Sequence, residues 1–406
     1  MQDSILQKTV KITIWEYFIV FLFIVMCGFT SGDIIPGKSW ILALFGILYF
    51  LRKKKRQSLF PLIVLIICYI IIGIAHQKLF NYYSSRPFIT IPILMLAGFY
   101  VVDKLAERFK YAYMNIMTIL SIFSLIFYII MRLSGYVPNV DLLNSHPQTY
   151  RGIFIFNERM GEIILQRNCG PFWEPGAFAG YIVIVGILFF NELGTLWNTQ
   201  KKKCVILLIT LITTFSTQGY FAFALLIFFY FFKEKISKKL LAGLFSFTLL
   251  TIIAFISLDF LQDKVNEQWA LASEWETDES LSSATRFTTS LLDWYYIQES
   301  PLIGNTENPQ IRYRDHATIL WIIDNYGGYG TGSGTTSFMA AYGIPLFLLW
   351  CIFTYKSLQR KQPLKVSFMI LGMYLILGIG ELYFNYIYYI SLPFMIYTHK
   401  NRVSIC

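Results

Sequence analysis

The sequence predicts an all-α, polytopic integral membrane protein with about twelve transmembrane helices and two long extracytoplasmic loops, and three observations lead there. Of 406 residues, 56% are hydrophobic and only 14% charged, where an average globular chain carries about 25% charged residues. The mean hydropathy is +0.54. Apolar runs of 17 to 20 residues recur along the whole chain, as a helix rising 1.5 Å per residue needs to cross ~30 Å of hydrocarbon. The charges that remain are gathered between those runs, basic on one side and acidic on the other.

Taken in order, spans are expected near 12–30, 35–51, 58–75, 87–102, 114–133, 175–192, 204–215, 219–232, 240–258, 337–355, 366–381 and 384–397. The first runs from Trp15 to Thr30; no small-residue cleavage site follows it, so it reads as a retained anchor rather than a secretion signal. The second stops at the basic run Arg52 to Arg56, and the fourth and fifth are separated by Lys104, Arg108 and Lys110. Lys201 to Lys203 precede the seventh, Lys233 to Lys239 follow the eighth, and Lys356 to Lys365 separate the tenth from the eleventh. Lys400 and Arg402 follow the twelfth. With the N-terminus in the cytoplasm, these clusters all fall inside and most acidic residues fall outside, which places both termini in the cytoplasm. The whole chain, 1–406, reads as one transmembrane domain.

The formal net charge of +10 and pI near 9.1 would suggest nucleic acid in a soluble chain. Here the basic residues mark the inner membrane face, and no nucleic-acid partner is expected. Of six cysteines only Cys169 falls in an outer loop, so neither a disulfide framework nor a cysteine metal cluster is expected.

Inner connections are short, whereas two outer loops, 134–173 and 259–336, are long enough to carry function. Their aromatic residues, among them Trp269, Trp275, Trp294 and Trp321, suit segments lying on a membrane surface. Ser283 to Ser300 reads as a helix capped by Ser282 or Ser283, with Phe287, Leu291, Trp294 and Tyr295 on its apolar side and Pro301 ending it.

No ionisable residue falls in the middle of a span, where an ion-coupled transporter would need one. Glu16, Asp103 and Glu192 sit at inner span ends. Chemistry is therefore expected at the outer surface, which lacks ATP and nucleotide sugars, so a donor there must carry its own leaving group.

One outer segment is built for that task. Arg151, Arg159 and Arg167 precede Asn168-Cys169-Gly170-Pro171-Phe172-Trp173-Glu174-Pro175-Gly176, where the sixth span begins. Pro175 suits the first helical position, and Glu174 falls beside the N-cap, where the helix dipole favours an ionised carboxylate and free backbone donors can hold an anion. Arg167 adds a cation for phosphate, and Glu174 a carboxylate for a hydroxyl proton. The plainer alternative is that Glu174 caps the helix and pairs with Arg167.

Arg167, Gly170, Phe172, Glu174, Pro175, Gly176 and Phe178 form a pattern that resembles the Arg-x-x-Gly-x-Phe-x-Glu-Pro-Gly signature of the bacterial O-antigen and capsule polymerases, relatives of the O-antigen ligases. Phe215-Ser216-Thr217-Gln218-Gly219-Tyr220 is similar to the family's Ser-Thr-x-Gly-Tyr hairpin. Arg286 and Ser300-Pro301-Leu302-Ile303-Gly304 resemble the start of its large outer loop, and Tyr342-Gly343-Ile344-Pro345 the segment that follows. The ligase branch commonly has a His-Asn pair where that loop enters the next span; here the stretch reads Gly332-Ser333-Gly334-Thr335-Thr336-Ser337.

The resemblance implies a GT-C-like membrane glycosyltransferase of the bacterial cytoplasmic membrane. It would transfer a growing glycan from polyprenyl diphosphate onto a second polyprenyl-diphosphate-linked repeat unit, with a chain-length regulator protein as partner. Breaking a glycosyl-diphosphate bond requires stabilisation of the departing charge, a task for planar guanidinium groups. Arg167, Arg286, Arg312 and Arg314 are the candidates. The acceptor hydroxyl loses its proton to a base, Glu174 first and His316 second, although His316 also reads as a plain loop residue. With no Asp-x-Asp of nucleotide-sugar transferases and no ligands spaced for zinc, neither cofactor nor metal is expected.

The glycine-rich stretch 327–334 lacks the Lys-Ser/Thr of a phosphate loop and reads as coil, and the acidic stretch 274–279 as a solvated face. Two other functions are compatible with the same spans: a ligase moving the glycan to another acceptor, and a lipid-linked glycan flippase or exporter.

Overall fold

The computed structural model describes residues 11–30, 37–52, 59–134, 151–153, 156–158, 167–233, 286–315, 320, 333–360 and 362–395. They are mostly helical. Helix α1 (Ile14–Val25) opens on a capping box: the Thr13 hydroxyl accepts from the Glu16 amide at 3.2 Å, and the Glu16 carboxylate accepts from the Thr13 amide at 2.9 Å. Helices α2 (Lys38–Arg52) and α3 (Leu59–Phe80) follow. A π-turn over Arg86–Thr90 leads into α4 (Ile91–Leu105). Pro92 has no N–H to return to the preceding turn, and the ladder widens there, the Ile91 amide reaching back to the Arg86 carbonyl. Helix α5 (Arg108–Ser134) is the longest.

Among the described residues three helices are, by length and composition, able to cross a membrane: Leu59–Phe80, Arg86–Leu105 and Arg108–Ser134. A fourth is α6 (Pro175–Leu188) taken with the segment Phe190–Thr199, which bends from it by 64°. The sequence reads this span as unbroken over 175–192. It breaks because Asn191 and Glu192 are held sideways: the Asn191 amide donates to Gln362, and the Glu192 carboxylate accepts from the buried Lys110 ammonium at 3.1 Å. Beyond the bend lies α7 (Leu193–Thr199).

Shorter apolar helices lie at other expected spans: Ile14–Val25, Lys38–Tyr49, α9 (Thr217–Lys233), α13 (Ile344–Gln359) and α14 (Leu364–Gly380). Helix α8 (Lys201–Thr213) occupies the seventh. At the twelfth, the described chain forms only the short helix α15 (Ile387–Ser391) and a tight turn over Leu392–Phe394. The expected span near 240–258 lies outside the described residues.

Outward-facing side chains support a membrane setting. On α3, Phe60, Ile63, Ile67, Ile71 and Ile74 are all exposed, three or four residues apart, a stripe that lipid solvates and water does not. The inner faces pack into an aromatic core, where Phe23 meets Phe109 edge-on at 5.3 Å and Tyr388 packs on both Phe23 and Tyr113. Helices α2 and α4 approach closely because Gly46 faces the Leu96 carbonyl, which a Cβ would meet at 2.6 Å.

Glu16, Asp103 and Glu192, expected at span ends, all have partners. Arg108 pairs with Glu16 at 2.6 Å, Lys110 with Glu192, and the Tyr49 hydroxyl donates to Asp103 at 2.8 Å. Among the described residues no disulfide joins the five cysteines, and Cys169 is fully buried.

Between α5 and α6, β1 (Arg151–Ile153) and β2 (Phe156–Glu158) form an antiparallel hairpin, an element the all-α reading does not contain. The buried Phe156 ring stacks on Phe127 of α5 at 6.0 Å, which ties the hairpin to the bundle.

In the second loop the expected helix is present as α10 (Arg286–Glu299), and Pro301 follows its end. Its buried side is a correction to the sequence reading. Leu291, Trp294 and Tyr295 are exposed, while Leu292, Asp293, Tyr296 and Ile297 are buried; the side chain of Phe287, like Ser282 and Ser283, lies outside the described residues. A carboxylate takes the inner position because partners await it there: Tyr313 donates to Asp293 Oδ1 at 3.1 Å and Thr336 to Oδ2 at 2.8 Å. Hydropathy ranks Asp293 as a surface residue and has no knowledge of those donors.

Candidate functional site

The site is the N-terminal mouth of α6. Its first wall is the segment 167–174, held by Asn168, whose fully buried amide donates to Ser124 Oγ at 3.2 Å and Thr213 Oγ1 at 3.0 Å and accepts from the Gly170 amide at 2.9 Å. Arg167 donates from Nε to the Thr214 carbonyl at 3.2 Å. On the other side the Thr30 amide donates to the Pro171 carbonyl, and Trp173 stacks on Tyr386 at 4.5 Å. Glu174 has extended backbone at the N-cap, and its side chain makes no capping bond. Pro175 occupies the first turn as expected.

The second wall is the tight connection between α8 and α9, where Phe215 adopts φ of +46°. Ser216, almost fully buried, accepts from the Gly219 amide at 3.1 Å and so caps α9. Gln218 reaches across to donate to the Leu377 carbonyl of α14 at 2.7 Å.

The third wall is the end of α14. Glu381 is 2% exposed, and its Oε1 lies where a Cβ on Gly176 would sit, 2.1 Å from that point, with Ser216 Oγ at 3.6 Å. Its carboxylate therefore rests on the first turn of α6, at the positive end of the helix dipole. Two residues on, the Tyr383 hydroxyl donates to the Gly176 and Ala177 carbonyls at 3.2 and 3.0 Å. The start of α6 thus carries two carboxyl residues, Glu174 at the N-cap and Glu381 against Gly176, and Arg167 is bonded to the Thr214 carbonyl of the neighbouring wall.

Sequence reasoning missed Glu381. Its one signal is the run Gly378-Ile379-Gly380-Glu381, small residues before an acid at an outer span end, which also describes an ordinary interfacial charge. Gly176→Ala tests the packing directly: the added methyl must displace Glu381 or open α6. The melting temperature is expected to fall; a variant that melts with the wild type would show that the carboxylate is not seated there.

The remaining candidates lie elsewhere or outside the description. His316 and the side chain of Arg286 lie outside the described residues; the Arg286 backbone begins α10. Arg312, on the short helix α11 (Pro309–Arg312), is 3% exposed. Its Nε and Nη2 donate to the Thr306 carbonyl at 3.0 and 2.9 Å, and Nη1 donates to Ser337 Oγ at 2.9 Å and lies 3.6 Å from Asp293 Oδ1. Arg314 is partly exposed and pairs with Glu299. Arg312 thus belongs to a buried knot that clamps the loop onto α12 (Gly334–Tyr342), while Arg167 stands at the mouth.

Burial pushes the Asp293 carboxyl up to about 6, against the opposing pull of Arg312 and the two hydroxyls. Because the folded value exceeds the unfolded one, this group's contribution is full below about pH 4 and is lost as pH rises through about 6, a change of about 3 kcal/mol. The melting temperature of the wild type, measured against Asp293→Asn, should therefore fall across that window. A difference that stays flat from pH 4 to 7 would remove Asp293 as the titrating group.

The motifs separated in sequence meet in pairs. The 167–178 segment is bonded to the 213–220 connection through Thr213 and Thr214. Residues 300–305 dock on 340–344, the Asn305 amide donating to the Ala340 carbonyl at 2.7 Å and the Ile344 amide to the Pro301 carbonyl at 2.8 Å. Among the described residues, no group of three or more His, Cys, Asp or Glu is placed to hold a metal ion. In comparisons with known proteins, the chain matches no family model and no curated protein.

Proposed function

We propose that this protein is a polysaccharide polymerase joining polyprenyl-diphosphate-linked oligosaccharide repeat units at the outer face of the bacterial cytoplasmic membrane. In this reading the shorter apolar helices complete a twelve-span bundle with both termini in the cytoplasm, and the exposed Trp294 and Tyr295 of α10 lie at the membrane surface. The start of α6 carries it: Glu174 stands at the N-cap and the Glu381 carboxylate lies against Gly176, at a helix start able to hold an anion, with Arg167 seven residues before Glu174 and bonded to the Thr214 carbonyl.

In the reaction, an acceptor sugar hydroxyl gives its proton to Glu174 and attacks the anomeric carbon of the donor. The bond from that carbon to the diphosphate oxygen breaks, and polyprenyl diphosphate departs with its charge held by Arg167 and Arg286. Such charge-assisted contacts are worth about 1.5–3 kcal/mol each. His316 stands as the second base, Arg314 as an outer cation, and Arg312 as the clamp that positions the loop. The acceptor and donor are the same class of lipid-linked glycan, and a chain-length regulator is the partner this reading expects.

The test is reconstitution of the purified protein in lipid with a defined polyprenyl-diphosphate oligosaccharide. A ladder of products is expected without nucleotide sugar or divalent ion. A single transferred product on a different acceptor would make it a ligase, and unmodified substrate moved across the bilayer would make it a flippase; either result overturns the polymerase reading.

A further inference from the structure

We infer that Tyr383 is a positioning residue for the proposed reaction, acting through Glu174 by fixing the backbone on both sides of it. The inference rests on the polymerase reading, in which Glu174 takes the proton of the acceptor hydroxyl.

Glu174 moves with the first turn of α6, because its carbonyl accepts from the Phe178 amide at 3.1 Å. Tyr383 holds that turn from outside the helix. Its hydroxyl donates to the Gly176 and Ala177 carbonyls at 3.2 and 3.0 Å, just after Glu174. Its ring lies edge-on to the Trp173 indole at 6.3 Å, just before Glu174. Trp173 is itself seated: it stacks on Tyr386 at 4.5 Å, and Gly28, at φ of +97°, leaves room for both rings, with which a Cβ there would collide. One fully buried tyrosine thus grips the chain on either side of the carboxylate.

The hydroxyl reaches those carbonyls because α6 is notched for it. A Cβ on Gly180 would fall on the phenol oxygen and lie 2.8 Å from Cζ, so a larger residue there expels the hydroxyl. Gly176 and Gly180 lie one turn apart on one helix face, a spacing that commonly admits the backbone of a second helix. Here it admits two side chains from the end of α14 and the turn after it, the Glu381 carboxylate at Gly176 and the Tyr383 hydroxyl at Gly180. Packing alone would be served as well by phenylalanine. The ring meets Tyr181 at 5.1 Å and Tyr389 at 5.0 Å without using its oxygen, and burying a hydroxyl is costly unless it is bonded. The two carbonyls of α6 are what the oxygen serves.

The experiment follows elongation of a defined polyprenyl-diphosphate oligosaccharide by the full chain reconstituted in lipid, for the wild type, Tyr383→Phe, Glu174→Gln and the double variant. Tyr383→Phe keeps the ring and removes only the hydroxyl. It should lower kcat by roughly ten- to hundredfold and leave KM nearly unchanged, as expected when a reacting group is misplaced. In the Glu174→Gln background the same substitution should add almost nothing, since the group it aims is already gone. A merely structural hydroxyl would cost the same factor in both backgrounds, and that result overturns the inference. Hydrogen exchange at the Phe178 amide reads the anchor without any activity and should quicken roughly tenfold in Tyr383→Phe; an unchanged rate also overturns it. Gly180→Ala, which fills the notch and leaves Tyr383 in place, should reproduce both effects and keeps the test open if Tyr383→Phe fails to fold. If the wild type forms no ladder, the polymerase reading falls, and the exchange measurement decides whether Tyr383 anchors the start of α6. A ladder whose kcat is indifferent to Tyr383→Phe sinks the positioning role and spares the polymerase.

Discussion

Glu174→Gln is expected to slow chain growth by roughly 10²- to 10⁴-fold while leaving the protein folded, the range associated with loss of a positioned proton acceptor. The substitution keeps the size and shape of the side chain. Since Glu174 makes no capping bond to the first turn of α6, the helix start does not depend on its charge for a hydrogen bond. In cells, such a variant should place single repeat units on the surface without extending them. Arg167→Ala should act in the same direction, with an added loss of stability because its Nε holds the Thr214 carbonyl. The measurements are the ladder length from reconstituted protein and the glycan size on cells. Long chains from both variants would end the assignment of the α6 mouth as the reacting site, and a surface without any repeat units would point to transport instead.

Arg312→Ala should instead destabilise the protein, by about 3–5 kcal/mol, the cost of leaving a buried charge without its partner. The residue is buried with Asp293 at 3.6 Å, and its removal strands both that carboxylate and the Thr306 carbonyl, which accepts from Nε and Nη2 together. Arg312→Lys should recover little, because one ammonium cannot reproduce the fork that reaches Thr306 and Ser337 at once. Combining Arg312→Ala with Asp293→Asn should return part of the loss, since the stranded charge is then gone. Thermal unfolding in detergent measures all three. A variant of wild-type stability that instead binds added polyprenyl diphosphate weakly would assign Arg312 to the proposed diphosphate contact and not to the clamp.

These two expectations separate what was legible along the chain from what was not. The helical membrane class, the start of α6 at Pro175 and the end of α10 before Pro301 follow from local signals: apolar runs, a fixed proline φ and a missing N–H. The Arg167 to Gly176 segment stood out for the same reason, as residue types grouped within ten positions. Arg312 and Arg167 are indistinguishable on those grounds, being two arginines near other charges between apolar runs. Burial tells them apart, and burial is decided by partners far away.

Composition and flanking charge are one-dimensional, and they sufficed to assign this chain to the bilayer and to order its apolar segments. Three-dimensional contact alone selected the face α10 turns inward, the bend after Leu188 and the seat of Glu381. Each depends on a polar group meeting its complement across a long sequence interval, as when the Tyr383 hydroxyl reaches the Gly176 carbonyl 207 residues away. A buried polar atom is tolerated only where such a complement waits, and no property of the residue itself says where that will be.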